Sequence, residues 1–366
     1  MNIGALSWRD ITHPFAGGSE INFHEQAKRW VAAGHTVSQF AGAYPGCQSE
    51  ETVDGIRIIR RGGRFTVYAW APLILWRYFR NAQVVLDIQN GIPFFSPLFR
   101  RRPIVGQIHH ISGQQFFHEF SFPLNVIGFA IERWIAPWCY RHVPMIAVSE
   151  TTRALMDRLG YASKHVTVIY NGVDHQRLFP SAQKSDQPTV LYLGRLKRYK
   201  RMDLLLEIFQ DVHRARPEVC FQIVGSGDDE DRIKHEVSQS DLAGVVTFYG
   251  FVDQEEKARH FSAAWVLATA SLVEGWGLVA VEAAACGTPA VSFDVPGLNQ
   301  AIRQGETGFF VKTKEEFVSA ILRIVDDPSL REQLSQKAIA WSQHFHWDQT
   351  AHQTFQLFER VIFPSR

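Results

Sequence analysis

Short apolar runs alternate with longer amphipathic segments from the first residues of the chain. Asn2–Leu6 is an apolar run of strand length, and residues 19–33 place apolar side chains at helical spacing until Gly34 ends the pattern. A second strand is predicted over Thr36–Ala41. A strand, a glycine loop, a helix and another strand form a βαβ unit, which builds a parallel sheet. The chain therefore opens as an α/β protein.

The alternation continues to the C-terminus with one interruption. Further strands are predicted at residues 55–60, 84–88, 104–108, 144–148 and 166–170, and then at residues 189–193, 220–224, 245–248, 266–270 and 289–293. Helices are predicted between many of them, and three more close the chain at residues 314–325, 329–344 and 347–362. The polar stretch 181–188 separates the two series, so we expect a domain boundary between residues 170 and 188.

The charge is unevenly divided along the 366 residues. Residues 1–170 hold 17 Lys and Arg against 11 Asp and Glu, a balance of +6, while residues 171–366 hold 21 against 26, a balance of −5. A basic N-terminal half is consistent with an anionic partner, either a phosphorylated acceptor or an anionic membrane surface. An asymmetry without function explains the counts equally well.

The cysteines and the chain start indicate a reducing compartment. Four cysteines are scattered without a C-x-x-C pair, so neither a disulfide framework nor a zinc site is expected. The first residues lack the pattern of a secretory signal, and no uninterrupted apolar stretch approaches the roughly 20 residues that span a bilayer. We therefore expect a cytoplasmic protein.

Two segments of the N-terminal half combine arginines with aromatic and apolar side chains, and an arginine triplet lies between them. The segments are residues 70–80 (WAPLILWRYFR) and residues 116–138, and the triplet is residues 100–102. Such segments can lie in a membrane interface, where arginines meet headgroups and aromatic rings enter the acyl boundary. The alternative, which the pattern favours, is that they are buried helices packed on the sheet. The first interpretation would make the protein peripheral on the inner face of the membrane.

Two features of the N-terminal half suit a ligand of sugar and phosphate. Gly17-Gly18 opens the first helix, where free N–H groups can bind phosphate, although two glycines also simply make a turn and the G-x-G-x-x-G spacing of a dinucleotide site is absent. His109 follows the predicted strand 104–108, and ligands of open parallel sheets bind outside the carboxyl ends of strands. It can donate to a sugar hydroxyl or an oxyanion, or it can be structural.

A cationic loop follows the first strand of the second domain. Residues 194–201, GRLKRYKR, hold five cations that repel one another unless an anion is present. Phosphate is the natural counterion. Arg195 and Lys200 are the stronger candidates, and the other three cations are equally explained as a solvated surface.

Residues 272–290, LVEGWGLVAVEAAACGTPA, carry two glutamates eight positions apart. Glu274 lies in a glycine turn, a helix is predicted from Leu278, and Glu282 falls about one turn inside it. The helix N-terminus suits phosphate, and ionised carboxylates accept hydrogen bonds from sugar hydroxyls. Paired carboxylates also serve as acid and base in glycosidases, but a glycosidase has no use for the cationic loop.

Two further segments carry weaker patterns. The loop predicted at residues 249–252 can receive a nucleobase. The acidic run 228–231 contains a D-x-D pattern, which holds a metal in some sugar transferases. The simpler interpretation places these acidic residues in the first turn of a helix over residues 228–238, where the helix dipole favours them.

Together these features resemble the retaining glycosyltransferases of family 4, which have the GT-B fold. The resemblance covers nearly the whole chain and is strongest over residues 171–311. The matching residues are Glu274 and Glu282 for the E-x7-E motif, Gly194, Arg195 and Lys200 for G-R-x-x-x-x-K, Gly17 and Gly18 for the Gly-Gly loop, and His109 for the strand-end histidine. The resemblance implies two Rossmann-like parallel-sheet domains, residues 1–170 and 171–344, facing each other across a cleft. It also implies a C-terminal helix, within residues 345–366, that crosses back onto the first domain.

The resemblance also implies roles for individual residues. Arg195 and Lys200 would bind the diphosphate and stabilise the charge that develops as it leaves. Glu274 would bind the donor sugar, Glu282 the ribose, and His109 the sugar near the reacting carbon. The remaining donor contacts would come from Gly17, Gly18, Gly194, Gly225, Phe251, Val252, Gly275, Trp276, Gly277 and Leu278. For Trp276, the sequence leaves open whether the ring walls the sugar pocket or packs the turn.

The implied activity is transfer of a hexose, with retention of configuration, from a nucleotide-diphosphate sugar to a hydroxyl group. No metal and no cofactor are expected, because the nucleotide sugar is a substrate, and no nucleic-acid partner is expected. The donor is predicted to be UDP-glucose and the acceptor a glycan or a polyprenyl-diphosphate-linked oligosaccharide in surface polysaccharide synthesis. The alternatives are a GDP-mannose-dependent mannosyltransferase, a nucleotide-sugar epimerase, a phosphorylase and a non-catalytic nucleotide-sugar binding protein.

Overall fold

A computed structural model describes residues 1–100 and 103–364. The chain divides into two compact units, an N-terminal unit of Met1–Gly172 together with the helix that begins at Trp347, and a C-terminal unit of Val173–His346. Each unit is built around a parallel sheet, which confirms the predicted pair of parallel-sheet α/β domains. Residues 101–102, which belong to the arginine triplet 100–102, lie outside the described residues.

The N-terminal unit has an eight-stranded sheet in the described part of the chain. The strands are β1 (Asn2–Leu6), β2 (Thr36–Ala41), β3 (Glu50–Val53), β4 (Ile56–Arg60), β5 (Val84–Gln89), β6 (Ile104–Ile108), β7 (Met145–Ala147) and β8 (Val166–Val168). Their order is β3-β4-β2-β1-β5-β6-β7-β8, and all neighbours are parallel except β3 and β4. The pattern did not predict β3, because this edge strand is short and its sequence, EETV, is largely polar.

Six α-helices, some of them very short, lie between residues 1 and 172 in the described part of this unit. They are α1 (Gly18–Ala32), α2 (Val67–Arg77), α3 (Gln115–Glu119), α4 (Leu124–Ala130), α5 (Ala136–Tyr140) and α6 (Glu150–Leu159). A π-helical turn at Ile131–Ile135 joins α4 to α5, and a 3-10 turn at Ser96–Leu98 follows β5. The predicted aromatic segment 116–138 is therefore a broken helical layer.

The C-terminal unit has six strands in the described residues, all parallel, in the order β11-β10-β9-β12-β13-β14. They are β9 (Thr189–Leu193), β10 (Cys220–Val224), β11 (Val246–Gly250), β12 (Val266–Thr269), β13 (Ala290–Phe293) and β14 (Gly308–Val311). The first strand, β9, lies inside the sheet. Strands β10 and β11 extend the sheet on one side of β9, and β12, β13 and β14 extend it on the other side. The strand order thus reverses between β9 and β12, and open α/β sheets bind ligands at such a switch point.

The helices of this unit are α7 (Met202–Ala215), α8 (Glu230–Ser238), α9 (Gln254–Ala263), α10 (Leu278–Ala285), α11 (Leu298–Ala301), α12 (Lys314–Asp326) and α13 (Pro328–Ser342). One local prediction was wrong. Residues 249–250 belong to strand β11 and not to a loop.

The last helix, α14 (Trp347–Ile362), belongs to the N-terminal unit. It packs on α1, where the Trp30 and Phe358 ring centroids are 5.3 Å apart and the Trp30 indole N–H donates to the Ala351 carbonyl over 3.0 Å. Both rings are almost fully buried with Phe23 and Leu86 of the same core. Burial of large side chains on this scale holds α14 to its unit.

Candidate active site

The loops that follow β9 and β12 meet at the switch point of the C-terminal sheet. The loop after β9 ends in a 3-10 turn, Arg198–Lys200, and the loop after β12 carries Glu274. The Leu272 N–H donates to the Tyr199 carbonyl over 2.9 Å, which fixes one loop against the other. The two strongest sequence motifs of this half of the chain are therefore neighbours in space.

Lys200 and Glu274 form an ion pair at this junction. Their side chains are only 12% and 22% exposed, so the charges interact with limited screening. Burial alone would lower the pKa of Lys200, but attraction to Glu274 outweighs it and the pKa is raised. The ammonium group therefore stays charged at any physiological pH, as a phosphate ligand must.

Three other cations of the cationic loop 194–201 have different neighbours from Lys200. Lys197 pairs with Asp228, and the Arg201 guanidinium lies 5.8 Å from the centroid of the Phe293 ring. Arg195 is exposed beside the Lys200 turn, and the hydroxyl of buried Tyr192 donates to its carbonyl over 2.9 Å. Tyr192 thus holds the backbone of Arg195 at an exposed position of the cationic loop.

Gly225 lets the loops after β9 and β10 dock closely. The Gly194 N–H donates to the Val224 carbonyl over 3.0 Å, and the Leu196 N–H donates to the Ser226 carbonyl over 3.0 Å. A Cβ on Gly225 would lie 2.0 Å from the backbone carbonyl oxygen of Gly194. The φ of Gly225, +128°, also excludes most side chains. Gly225 therefore shapes the cationic loop through close backbone approach.

The turn after Glu274 is set by glycines. Gly277 has φ +75° and occupies the cap position of α10. A Cβ on Gly297, which caps α11, would lie 2.4 Å from the backbone carbonyl oxygen of Glu274. The loop before α11 therefore also supports the turn. After Gly277, the first N–H groups of α10, beginning with that of Leu278, lack partners within the helix. They lie at the positive end of the helix dipole.

The indole of Trp276 packs the turn. It is 3% exposed, and its ring centroid lies 5.0 Å from that of Phe345 at 64°. Trp276 therefore anchors the Glu274–Gly277 turn to the body of the unit, the second of the two roles that the sequence left open.

Glu282 has a partner that the sequence analysis missed. Its carboxylate accepts from the Lys257 ammonium over 2.8 Å, and both side chains are nearly buried, at 10% and 12% exposure. Lys257 lies on α9, which begins just after Phe251 and Val252. Phe251 is 84% exposed, so its ring is accessible to a ligand. A lysine 25 residues from its glutamate, within an ordinary polar helix, offered no pattern in the sequence.

The acidic run after β10 serves α8. Asp229 occupies the cap position of that helix and pairs with Arg232, while Asp228 pairs with Lys197. No group of three or more metal-ligating side chains occurs among the described residues. The run therefore has a structural account, and the metal-independent reaction stays a prediction.

In the N-terminal unit, a buried ion pair shapes the loop between β1 and α1. The Arg60 guanidinium donates to both carboxylate oxygens of Asp10, over 2.7 and 2.9 Å, and both side chains are fully buried. Gly17 caps α1, and its N–H donates to Glu20 Oε2 over 2.7 Å. Gly18 is the first residue of the helix.

His109 follows β6 and is 7% exposed. Burial, with a smaller electrostatic contribution from neighbouring His110, lowers the pKa of His109 to about 3, so the His109 imidazole is neutral at physiological pH. Its Nε2 atom has no hydrogen-bond partner in the described part of the chain. A buried ring nitrogen without a partner is uncommon and suits a group that binds a ligand hydroxyl.

Glu132, on the π-helical turn, holds the loop beyond His109. Its carboxylate accepts from the N–H groups of Ser112 and Gly113 over 2.7 and 2.6 Å. Burial raises the pKa of Glu132. The π-helical turn places this carboxyl inward, under the histidine loop, and no sequence pattern indicated this position.

Two family models match the chain in series. "Glycosyltransferase Family 4" matches residues 16–177, and "Glycosyl transferases group 1" matches residues 174–341. The D-inositol 3-phosphate glycosyltransferase of Nocardioides sp. is 32% identical over 223 residues, which are 54% of this chain and 48% of that protein. The match thus spans about half the length of this curated relative.

Solved structures resemble the whole chain. Sucrose-phosphate synthase from Thermosynechococcus elongatus has a TM-score of 0.84 at 24% identity, covering 100% of both chains. Anabaena HepE, solved in complex with UDP-glucose, has a TM-score of 0.77 at 18% identity, covering 98% of this chain and 99% of that one. At these identities the likeness concerns the fold. The two models, in series over residues 16–341, support a glycosyltransferase of the family 4 type, and the chain has the GT-B fold.

Proposed function

We propose that the protein transfers a hexose from a nucleotide-diphosphate sugar to an acceptor hydroxyl with retention of configuration. The observation that carries the proposal is the Lys200–Glu274 pair at the switch point of the C-terminal sheet, next to the N-terminus of α10. One group suits a diphosphate and the other suits sugar hydroxyls, so the pair matches the two halves of such a donor.

In the proposed reaction, the bond between the sugar C1 and the diphosphate oxygen breaks while a bond from C1 to the acceptor oxygen forms on the same face. The acceptor proton passes to a phosphate oxygen of the departing nucleotide. Lys200, Arg195 and the first N–H groups of α10 stabilise the negative charge on that nucleotide. No protein carboxylate need act as a base, which agrees with Glu274 being held by Lys200.

The other predicted contacts complete the proposal. Glu282, oriented by Lys257, accepts from the ribose hydroxyls, and Phe251 and Val252 contact the base. Neutral His109 contacts the donor sugar through its unpartnered Nε2. Gly17 and Gly18 contribute backbone to the diphosphate.

For the donor we propose UDP-glucose, since Anabaena HepE, which shares the fold, was solved with it. For the acceptor we propose a glycan or a polyprenyl-diphosphate-linked oligosaccharide in surface polysaccharide synthesis. The curated relatives carry the name D-inositol 3-phosphate glycosyltransferase, so D-inositol 3-phosphate belongs in any acceptor panel.

A binding screen and a transfer assay test the proposal. UDP, UDP-glucose, GDP and GDP-mannose are compared by thermal unfolding, because a ligand at 100 times its Kd stabilises the fold by about 2.7 kcal/mol. Sugar transfer from the best donor is then followed over the acceptor panel. We expect Lys200→Ala to lower kcat about 100- to 1,000-fold, because it removes charge stabilisation from the transition state.

Arg198→Ala provides the matched control, since Arg198 is an exposed cation of the same loop without an assigned role. Its rate should stay near that of the wild type. Equal rates for wild type and Lys200→Ala would refute the assigned chemistry. Preferential stabilisation by GDP-mannose would make the enzyme a mannosyltransferase, and conversion of the sugar nucleotide without acceptor would make it an epimerase.

A further inference from the structure

The N-terminal unit presents an unusual number of large apolar side chains to solvent. They lie on the outer side of α2, on the Ser96–Leu98 turn and on the outer side of the segment from α4 to α5. We define the aromatic face as Trp70, Leu73, Trp76, Leu98, Leu124, Ile127, Trp134, Ile135 and Trp138, each at least 36% exposed. A patch of this size on a monomer marks an interaction surface.

Helix α2 contributes one edge of the aromatic face. Its inward residues, which include Ala71 and Ile74, are almost fully buried, while Trp70, Leu73 and Trp76 are 36%, 42% and 69% exposed. The exposed residues are three apart and so share one side of the helix. This helix is apolar on both sides, although one side faces solvent.

The segment from α4 to α5 has the same character. Gly128, Glu132, Ala136 and Tyr140 are buried and recur every four residues on its inner side. The outer side carries five apolar side chains that are 46–61% exposed, namely Leu124, Ile127, Trp134, Ile135 and Trp138. The only inward charge is thus the Glu132 carboxylate that holds the histidine loop, and the outward side is apolar.

Contacts within the unit join α2 to the segment from α4 to α5. Both α2 and α5 pack against the Ser96–Leu98 turn, which bears exposed Leu98. The Arg64 guanidinium, just before α2, lies 5.3 Å from the Phe65 ring centroid and 5.5 Å from that of Phe120, beyond α3. The aromatic face is therefore one surface.

The charge around this surface is almost entirely positive. Residues 62–149 contain eight arginines and three acidic residues, Asp87, Glu119 and Glu132. Two of the three carboxyls are turned inward, since Asp87 is fully buried against Ser96 and Tyr140, and Glu132 is buried under the histidine loop. By contrast, Arg64, Arg77, Arg80 and Arg141 are exposed.

We propose that the aromatic face docks the protein on the surface of an anionic lipid bilayer. Tryptophans and leucines would enter the acyl boundary while arginines meet the anionic headgroups. A second copy of the chain fits less well, because a symmetric dimer through this face would bring two cationic rims together. Among the described residues, none of the helices has the length and hydropathy of a membrane span.

The two interpretations of these segments from the sequence are thereby combined. The inner sides of α2 and α5 pack in the unit, as buried helices would, and the outer sides bind lipid. The proposal goes beyond the transfer reaction and stands on the aromatic face alone.

Flotation of the full chain with vesicles tests the proposal. We expect binding to vesicles of 30% phosphatidylglycerol in phosphatidylcholine, weaker binding as salt rises, and little binding to pure phosphatidylcholine. Trp76→Ser combined with Trp134→Ser should weaken partitioning at least about tenfold. Phe179→Ser, which removes an exposed aromatic ring from the C-terminal unit, should bind as the wild type does.

A second measurement is independent of any loss of binding. Vesicles with brominated acyl chains should quench the protein's tryptophan fluorescence, and Trp76→Phe with Trp134→Phe should keep binding and lose part of the quenching. Circular dichroism and the unfolding midpoint confirm that each variant is folded.

Absence of flotation at low salt would overturn the proposal, as would wild-type partitioning by the Trp-to-Ser variant. A concentration-dependent dimer that the same variant abolishes, without vesicle binding, would assign the face to a second copy instead. UDP-glucose stabilisation of the Trp-to-Ser variant, measured in parallel, keeps this outcome separate from that of the proposed function.

Discussion

Buried His109 makes the stability of the N-terminal unit depend on pH in a way that can be calculated. The folded-state pKa is about 3, against about 6.5 in an unfolded chain. Between these values only the unfolded chain binds the proton, so stability is full above pH 6.5 and is lost as the pH falls towards 3. The expected change is thus a loss on acidification.

The magnitude follows from the two pKa values. Between pH 7 and pH 5 the unfolded chain becomes protonated at this site while folded His109 stays neutral, which removes about 2 kcal/mol of stability. This figure changes little if the folded-state pKa is a unit higher, because the site remains neutral at pH 5 in either case. His109→Gln cannot titrate and lacks this contribution.

The assay is urea unfolding, followed by circular dichroism, of wild type and His109→Gln at pH 7 and pH 5 in buffers of equal ionic strength. Other groups titrate in both proteins, so the loss on acidification is compared between them and should be about 2 kcal/mol larger for the wild type. His142→Gln, which removes an exposed histidine of the same unit, should behave as the wild type. Equal losses in wild type and His109→Gln would refute a buried neutral imidazole.

Two further predictions concern the C-terminal unit. Lys257→Met should lower the free energy of unfolding by about 2–4 kcal/mol, because it leaves the nearly buried Glu282 carboxylate without its cation. Adding Glu282→Gln should restore at least half of this loss, as measured by denaturant unfolding. Additive effects of the two substitutions would contradict the ion pair. Gly225→Ala should cost about 3 kcal/mol or more, because its Cβ would meet the Gly194 carbonyl oxygen. Gly63→Ala should cost less than about 1 kcal/mol, because Gly63 has no positive φ and its Cβ would come no closer to another atom than 4.0 Å, from Thr66 Oγ1. Similar unfolding midpoints for the two alanine variants would count against the close loop contact.

Much of the fold could be predicted from the sequence because its strands are buried on both faces and its helices on one. β9 and β10 have the predicted bounds, since their apolar runs end at turn residues. The edge strand β3 could not be predicted in this way, because half-exposed polar residues carry no period that distinguishes a strand from a loop.

The candidate site divides in the same manner. The motif spacing singled out Lys200, Glu274 and Glu282, but spacing contains no information about which cation faces which carboxylate. Lys200 pairs with Glu274 and Lys257 with Glu282 because β12 returns beside β9 and α9 packs against α10. Those contacts join residues 74 and 25 positions apart.

What the sequence determined by itself is the local chemistry: the two series of strands and helices, the glycine turns, the cationic loop and the paired glutamates. The tertiary structure decided which of these groups are neighbours and which are buried. It packed Trp276 against Phe345, placed neutral His109 away from water and turned the aromatic side of α2 outward. Burial and long-range pairing depend on how the whole chain closes, and no local pattern of residues specifies them.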